Sequence, residues 1–277
     1  MSAPPNANGP GERGRIGHRE KVLSLLLPGV VLLGALGIWE IVVAIFAIPP
    51  YVLPAPSLIA QTLWADWGTL SSSLWVTLRI TFLALIAATL GAVGLAVLFA
   101  RWKWIERSFF PFAVILQVTP IVAIAPLLLI YLDSGTAVLV CAFLVAFFPI
   151  LANTVLCLVS ADHNLLDLFQ LYGASNTQQL LLLRAPSALP LFLGGLRIGG
   201  GLSLIGAVVA EIAAGSAGQG SGLAFRIVEA GFRLNIPRMF AALVLISLTG
   251  IAIFLCLDAL SRAVLGRWHD SATSRER

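Results

Sequence analysis

The chain has 277 residues, 59% of them hydrophobic and 11% charged, with a net charge of +4 and a mean hydropathy of +0.97. A soluble domain carries roughly 25% charged residues, so a water-soluble globule is excluded. The alternating polar and apolar strands of a membrane β-barrel are excluded too, because runs such as LALIAATLGAVGLAVLFA do not alternate.

Helices are then the way to satisfy the backbone in lipid. Spanning the hydrocarbon core takes about 20 apolar residues, and six runs suffice: 22–48, 74–100, 108–132, 136–159, 191–213 and 239–265. The expected fold is an all-α integral membrane protein with about six transmembrane helices. Residues 1–21, rich in Pro, Gly, Asn and Arg, are expected to form a disordered tail. No A-x-A-like cleavage site precedes Pro49, so the first apolar run is expected to stay as a span and not to be a signal peptide. A membrane domain over 22–268 and a second tail over 269–277 complete the division.

Orientation follows from the basic residues. If six helices alternate, Arg13, Arg15, Arg19, Lys21, Arg101, Lys103, Arg107, Arg184, Arg262, Arg267, Arg275 and Arg277 all fall on one side. The other side receives Arg226, Arg233 and Arg238, with Arg79 near its edge. The positive-inside rule therefore puts both termini and the 160–190 loop in the cytoplasm. The small positive charge reports orientation and calls for no nucleic acid.

Span three carries Pro111, Pro120 and Pro126, with Gln117 and Thr119 beside the central proline. Each interior proline removes a helix hydrogen bond, and broken helices persist in membranes where protein covers them or where they line a water-filled cavity. Gln117, Thr119 and Pro120 are thus candidates for a translocation path, with a plain kinked packing helix as the other reading. Of the intramembrane ionisable groups Glu40, Arg197, Glu211 and Asp258, Glu211 is the one for which pathway and structural roles stand level.

Between spans four and five the chain reads SADHNLLDLFQLYGASNTQQLLLLRAPSALP. Leu165, Phe169 and Tyr172 recur at i, i+4 and i+7, with Leu168 alongside, giving a short helix one apolar face. Gly173 stands where a left-handed helix end wants glycine. Ser175 followed by Gln178 has capping-box spacing for a second helix, which Pro186 and Pro190 are expected to end. The first of these helices carries Asp162 and Asp167 and no Lys or Arg, whereas helices lying on lipid favour basic polar faces. A cytoplasmic protein partner fits the unit better.

In GGLRIGGG, Gly195 and Gly199 are four apart, the spacing that lets membrane helices approach closely; the cluster GSAGQGSG over 215–222 reads as a flexible outer loop. Cys141, Cys157 and Cys256 lie within spans as small buried hydrophobes. His18, His163 and His269 have no Cys or carboxylate at ligand spacing, so no metal site and no cofactor are expected. No nucleophile and base are set together. A P-loop needs Lys directly after Gly, yet Lys21 follows Glu20 and Lys103 follows Trp102. The chain is no enzyme by this reading, and any ATP must be handled by a partner.

An acidic residue six before Gly, then Gly-Ala-Ser, then an apolar run ending in Pro-x-Ala-x-Pro resembles the coupling loop of ABC importer permeases, here Asp167, Gly173, Ala174, Ser175, Pro186, Ala188 and Pro190. LPAPS at 53–57, AFFPILANT at 146–154 and GGLRIGGGLSLIGAVVAEI at 194–212 are similar to the branch that handles nitrate, sulfonates and taurine. TPIVAIAP in span three looks closer to relatives that move pyrimidine vitamin precursors or flavins. The resemblance implies a type I ABC importer permease fold in the bacterial cytoplasmic (inner) membrane, and a solute of one of those kinds. It also implies cytoplasmic ABC ATPase subunits, a second permease copy in a homodimer, an extracytoplasmic solute-binding protein, and surrounding lipid. Asp167, Leu168, Phe169, Gly173, Ala174 and Ser175 would carry the ATPase contact. Leu168 and Phe169 depart from the family pattern, which has two alanines there, and YLDSG at 131–135 departs from its aromatic pair before Gly.

A reading from another class is a self-contained secondary carrier or channel with Glu40 or Glu211 as a proton relay. ATP-independent uptake would distinguish it.

Overall fold

The computed structural model describes residues 10–159, 161–215 and 220–266, with side chains from Leu26 onward. The expected tail 269–277, with His269, Arg275 and Arg277, lies outside them, as does Arg267. Helix α1 runs Pro10–Ile45. It therefore takes in residues 10–21, where a disordered tail is expected: Pro is tolerated in a first turn, and the Arg, Glu and Lys that follow are good helix formers. The portion apolar enough to cross a membrane is Leu26–Ile45.

A short helix α2 (Pro56–Ala65) leads through Asp66 into α3 (Trp67–Arg101). Then come α4 (Lys103–Val118), α5 (Ile121–Tyr131) and α6 (Ser134–Val159). Helices α7 (His163–Leu171) and α8 (Asn176–Gln179) form the loop unit, followed by α9 (Ala185–Ala214), α10 (Leu223–Phe232) and α11 (Ile236–Leu265). Among the described residues five helices are long and apolar enough to cross, and α4 with α5, bent by 99°, makes a sixth when counted as one broken span. The six expected runs are therefore recovered, with shifted ends.

The break falls at Thr119-Pro120 and not at the other two prolines. Pro120 has no N–H, and the residue before a proline is pushed out of the helical region; Thr119 is extended at φ −68°, ψ 125°. Pro111 and Pro126 stay inside α4 and α5.

Helices α6 and α9 share the most extensive interface, and α3 packs on both. Small residues make this possible. Ala84, Ala88, Ala92 and Ala96 line one face of α3 at a spacing of four and are fully buried. On α9, a Cβ added to Gly206 would lie 2.9 Å from the Ala142 Cα, one on Gly199 2.6 Å from the Ile150 side chain, and one on Gly195 2.8 Å from the Asn153 Cβ. These glycines are seats for α6, as their spacing suggests. With no hydrophobic drive between helices in lipid, such close van der Waals contact is what holds the bundle. Replacing Gly206 with Leu should therefore cost about 1–3 kcal/mol by overpacking and lower the thermal midpoint of the purified protein. Gly201→Leu, where nothing lies within 4 Å, should shift it much less.

Candidate functional site

The loop between α6 and α9 is a built structure. Asp162 caps α7, its side chain accepting from the Asn164 N–H at 2.9 Å. The helix ends in a Schellman motif: the Ala174 N–H donates to the Phe169 carbonyl and the Gly173 N–H to the Gln170 carbonyl, both at 2.9 Å. Gly173 has φ +71°, a conformation costing an L-residue about 1–2 kcal/mol. The Ser175 N–H then donates to Gln178 Oε1 at 2.7 Å and the Gln178 N–H to Ser175 Oγ at 3.3 Å, a complete capping box.

The second helix does not stop at Pro186 and Pro190. A π-turn over Leu180–Arg184 joins α8 to α9, with Pro186 in its first turn and Pro190 inside it. The Ala185 N–H reaches back to the Leu180 carbonyl, the five-residue step of a π-turn. The loop unit is thereby continuous with a span: Asn176–Ala214 is a single apolar helical stretch.

The inward face of α7 is set by Leu166, which clusters with Ala161, Leu183 and half-buried Phe169. The apolar stripe expected at Leu165, Phe169 and Tyr172 thus splits: Phe169 turns inward, while Leu165 and Tyr172 are exposed, as are Asp167, Leu168 and Leu171. Leu171 and Tyr172 reach 85% and 84% exposure. An open depression of ≈ 380 Å³ is lined by Leu168, Phe169, Tyr172, Gly173, Ala174, Gln178 and Leu182. Of the six residues singled out in this loop, Leu168, Phe169, Gly173 and Ala174 line it, while Asp167 and Ser175 do not.

At the break in span three, Gln117, Thr119 and Pro120 line a second cavity of ≈ 390 Å³ with Ile121, Val145, Phe148 and Leu202 among others. No charged side chain lines it. Thr119 Oγ1 donates to the Ile115 carbonyl at 2.8 Å, which leaves its lone pairs directed away from the helix.

Glu211 is not part of that cavity. It is buried at 5% exposure near the other end of α9. Its Oε1 accepts from Thr77 Oγ1 at 2.8 Å and its Oε2 from the Ala224 N–H at 3.0 Å. Glu40 is likewise engaged, accepting from the Ser57 N–H at 3.0 Å and from Ser57 Oγ at 2.6 Å, which caps the first turn of α2. Asp258 bridges Arg197 and Arg262.

The outer basic residues are paired. Arg226 and Arg233 hold Glu229 at 2.8 and 2.9 Å, and Arg238 meets Asp66 at 3.3 Å. The Arg226 hydrogen bond keeps the Glu229 carboxyl below the usual carboxylate range. Among the described residues no group of His, Cys, Asp and Glu is placed to hold a metal ion.

Residues 88–269 match the family described as the binding-protein-dependent transport system inner membrane component. This chain belongs to that family of ABC transporter permeases. The permease is similar, at 34% identity over 251 residues (87% of this chain, 90% of the relative), to the riboflavin transport system permease protein of Chloroflexus aurantiacus. It is 32% identical over 245 residues (87% and 95%) to the formylaminopyrimidine transport permease protein of Halalkalibacterium halodurans. The taurine transport system permease protein of Escherichia coli is 28% identical over 242 residues (84% and 86%). Family and helices together make it a multi-pass protein of the bacterial inner membrane with the type I ABC permease fold.

Thr77 was not singled out by sequence, although Ser73, Thr77 and Thr81 recur at a spacing of four and are all buried; that polar stripe was the available signal. Loss of the capping box in Ser175→Ala should cost about 1 kcal/mol. The amides of 175–179 should then exchange hydrogen roughly fivefold faster, with the amides of α6 unchanged.

Proposed function

We propose that this permease is the membrane subunit of an importer driven by a separate cytoplasmic ATPase, with the loop unit from Asp167 to Ser175 as the ATPase contact. One observation carries the reading: a rigidly capped unit presents exposed Leu168, Leu171 and Tyr172 around an open apolar groove on the basic side. Exposed apolar surface of this kind, on a face assigned to the cytoplasm, is suited to a protein partner. The chain has no lysine placed for a P-loop of its own. Two copies, forming a homodimer, and an extracytoplasmic solute-binding protein complete the assembly.

For the solute, the uncharged cavity at the span-three break favours a neutral heterocycle, such as a pyrimidine vitamin precursor or a flavin-type ring. Gln117 and Thr119 supply hydrogen-bonding groups and Phe148 an aromatic surface. A nitrate, sulfonate or taurine-like solute would leave a negative charge without a partner there, which is costly away from water. The riboflavin and formylaminopyrimidine permeases among its relatives support the same choice. A secondary carrier relaying protons through Glu40 or Glu211 fits less well, since both carboxylates are committed to helix-capping hydrogen bonds away from this cavity.

Proteoliposomes holding the permease, its ATPase and the binding protein should take up solute only with ATP. A cysteine at Ala174 should cross-link to the ATPase, and Gly173→Arg should reduce uptake at least tenfold, because the left-handed turn is lost. Uptake that persists without ATP or ATPase would favour the carrier instead.

A further inference from the structure

Helix α10 has no cap of its own. Its N-cap residue is Gly222, which offers no side chain, although a helix start leaves N–H groups to be satisfied. The cap is instead supplied by two other helices. The Leu223 N–H donates to Thr77 Oγ1 of α3 at 2.9 Å, the Thr77 hydroxyl passes its own hydrogen to Glu211 of α9, and the second Glu211 oxygen takes the Ala224 N–H. All three bonds are buried, and no Lys or Arg among the described residues pairs with the carboxylate. The chain passes so close that a Cβ on Gly222 would collide with the Glu211 carboxylate. One turn further out on α3, Ser73 Oγ accepts from Arg226 Nε at 2.9 Å. Leu223 in turn fills the core cluster formed with Ile59, Leu70, Ala241, Ala242 and Leu245.

We propose that Thr77 and Glu211 form an outer latch: the N-terminal end of α10, whose body also packs on α11, is capped only while the outer ends of α3 and α9 stand together, and that end is released when they separate during transport. Neither residue lines the cavity at the span-three break. Both are positioning residues that act through α10. The buried carboxylate is answered by donors from elements that only the closed arrangement brings together, so separation of α3 from α9 strands all three partners at once. The release step rests on the transport reading, whereas the cap itself does not.

The test uses the full-length permease with its native cysteines replaced and a single cysteine at Ala230, which is buried on α10 at 1% exposure and takes no part in the latch. Modification by a membrane-impermeant maleimide should be slow with the latch intact. Thr77→Val, of equal size but without the hydroxyl, and Glu211→Ala should each accelerate it about tenfold or more by leaving buried groups unpaired, while Thr77→Ser should restore the slow rate. Unchanged modification in Thr77→Val overturns the latch whatever becomes of the ATPase contact. In the complete transporter, the intact latch should show modification that differs between nucleotide-free and ATP-bound states. An equal rate in both states, in a sample whose Ala174 cysteine cross-links to the ATPase, overturns the release step, because a purely structural cap would not respond to nucleotide. Failure of that cross-link with the latch variants behaving as expected counts against the ATPase reading alone.

Discussion

The close approach of α6 and α9 organises the rest of the molecule. Gly195, Gly199 and Gly206 let the backbone of α9 settle against Asn153, Ile150 and Ala142, and in lipid such contact substitutes for the hydrophobic effect. These two helices also flank the loop unit, since α7 and α8 lie between them in the chain. One tightly joined pair thus carries the apolar groove at one end and, through α9, Glu211 at the other.

That arrangement gives the π-turn over Leu180–Arg184 a mechanical meaning. A short second helix ended by prolines would hang from the bundle on a flexible joint. Instead α8 runs on through the π-turn into α9 without an intervening loop. The other distinctive break, at Thr119-Pro120, is a true interruption with a 99° bend, and it lines a cavity of its own.

Much of this was legible in the chain. Apolar run lengths yielded the spans, Gly173 and the Ser175–Gln178 pair yielded the turn and cap, and glycine spacing yielded the α9 contact, because each is a local rule. What was not legible depends on partners distant in sequence. Pathway and structural roles stood level for Glu211 in the sequence, which does not show that Thr77 and Ala224 engage it, nor that Glu229 and Asp66 stand beside Arg226, Arg233 and Arg238. Gly222 read as loop flexibility, yet it is a close-contact residue beneath a carboxylate. The loop helix shows the same limit: its period was right, but which apolar residues turn inward was decided by Leu183, which belongs to the following segment.

The central claim is that movement entering at the loop unit is carried by α9 to its outer end. Spin labels at exposed Trp75 on α3 and exposed Ile212 on α9 span the proposed latch, and pulsed electron resonance on the assembled transporter reads the distance between them. A short-distance population is expected in one nucleotide state and a distinctly longer one in another, with the longer population lost when Gly173→Arg uncouples the loop. A single distance that stays the same in every nucleotide state would contradict it.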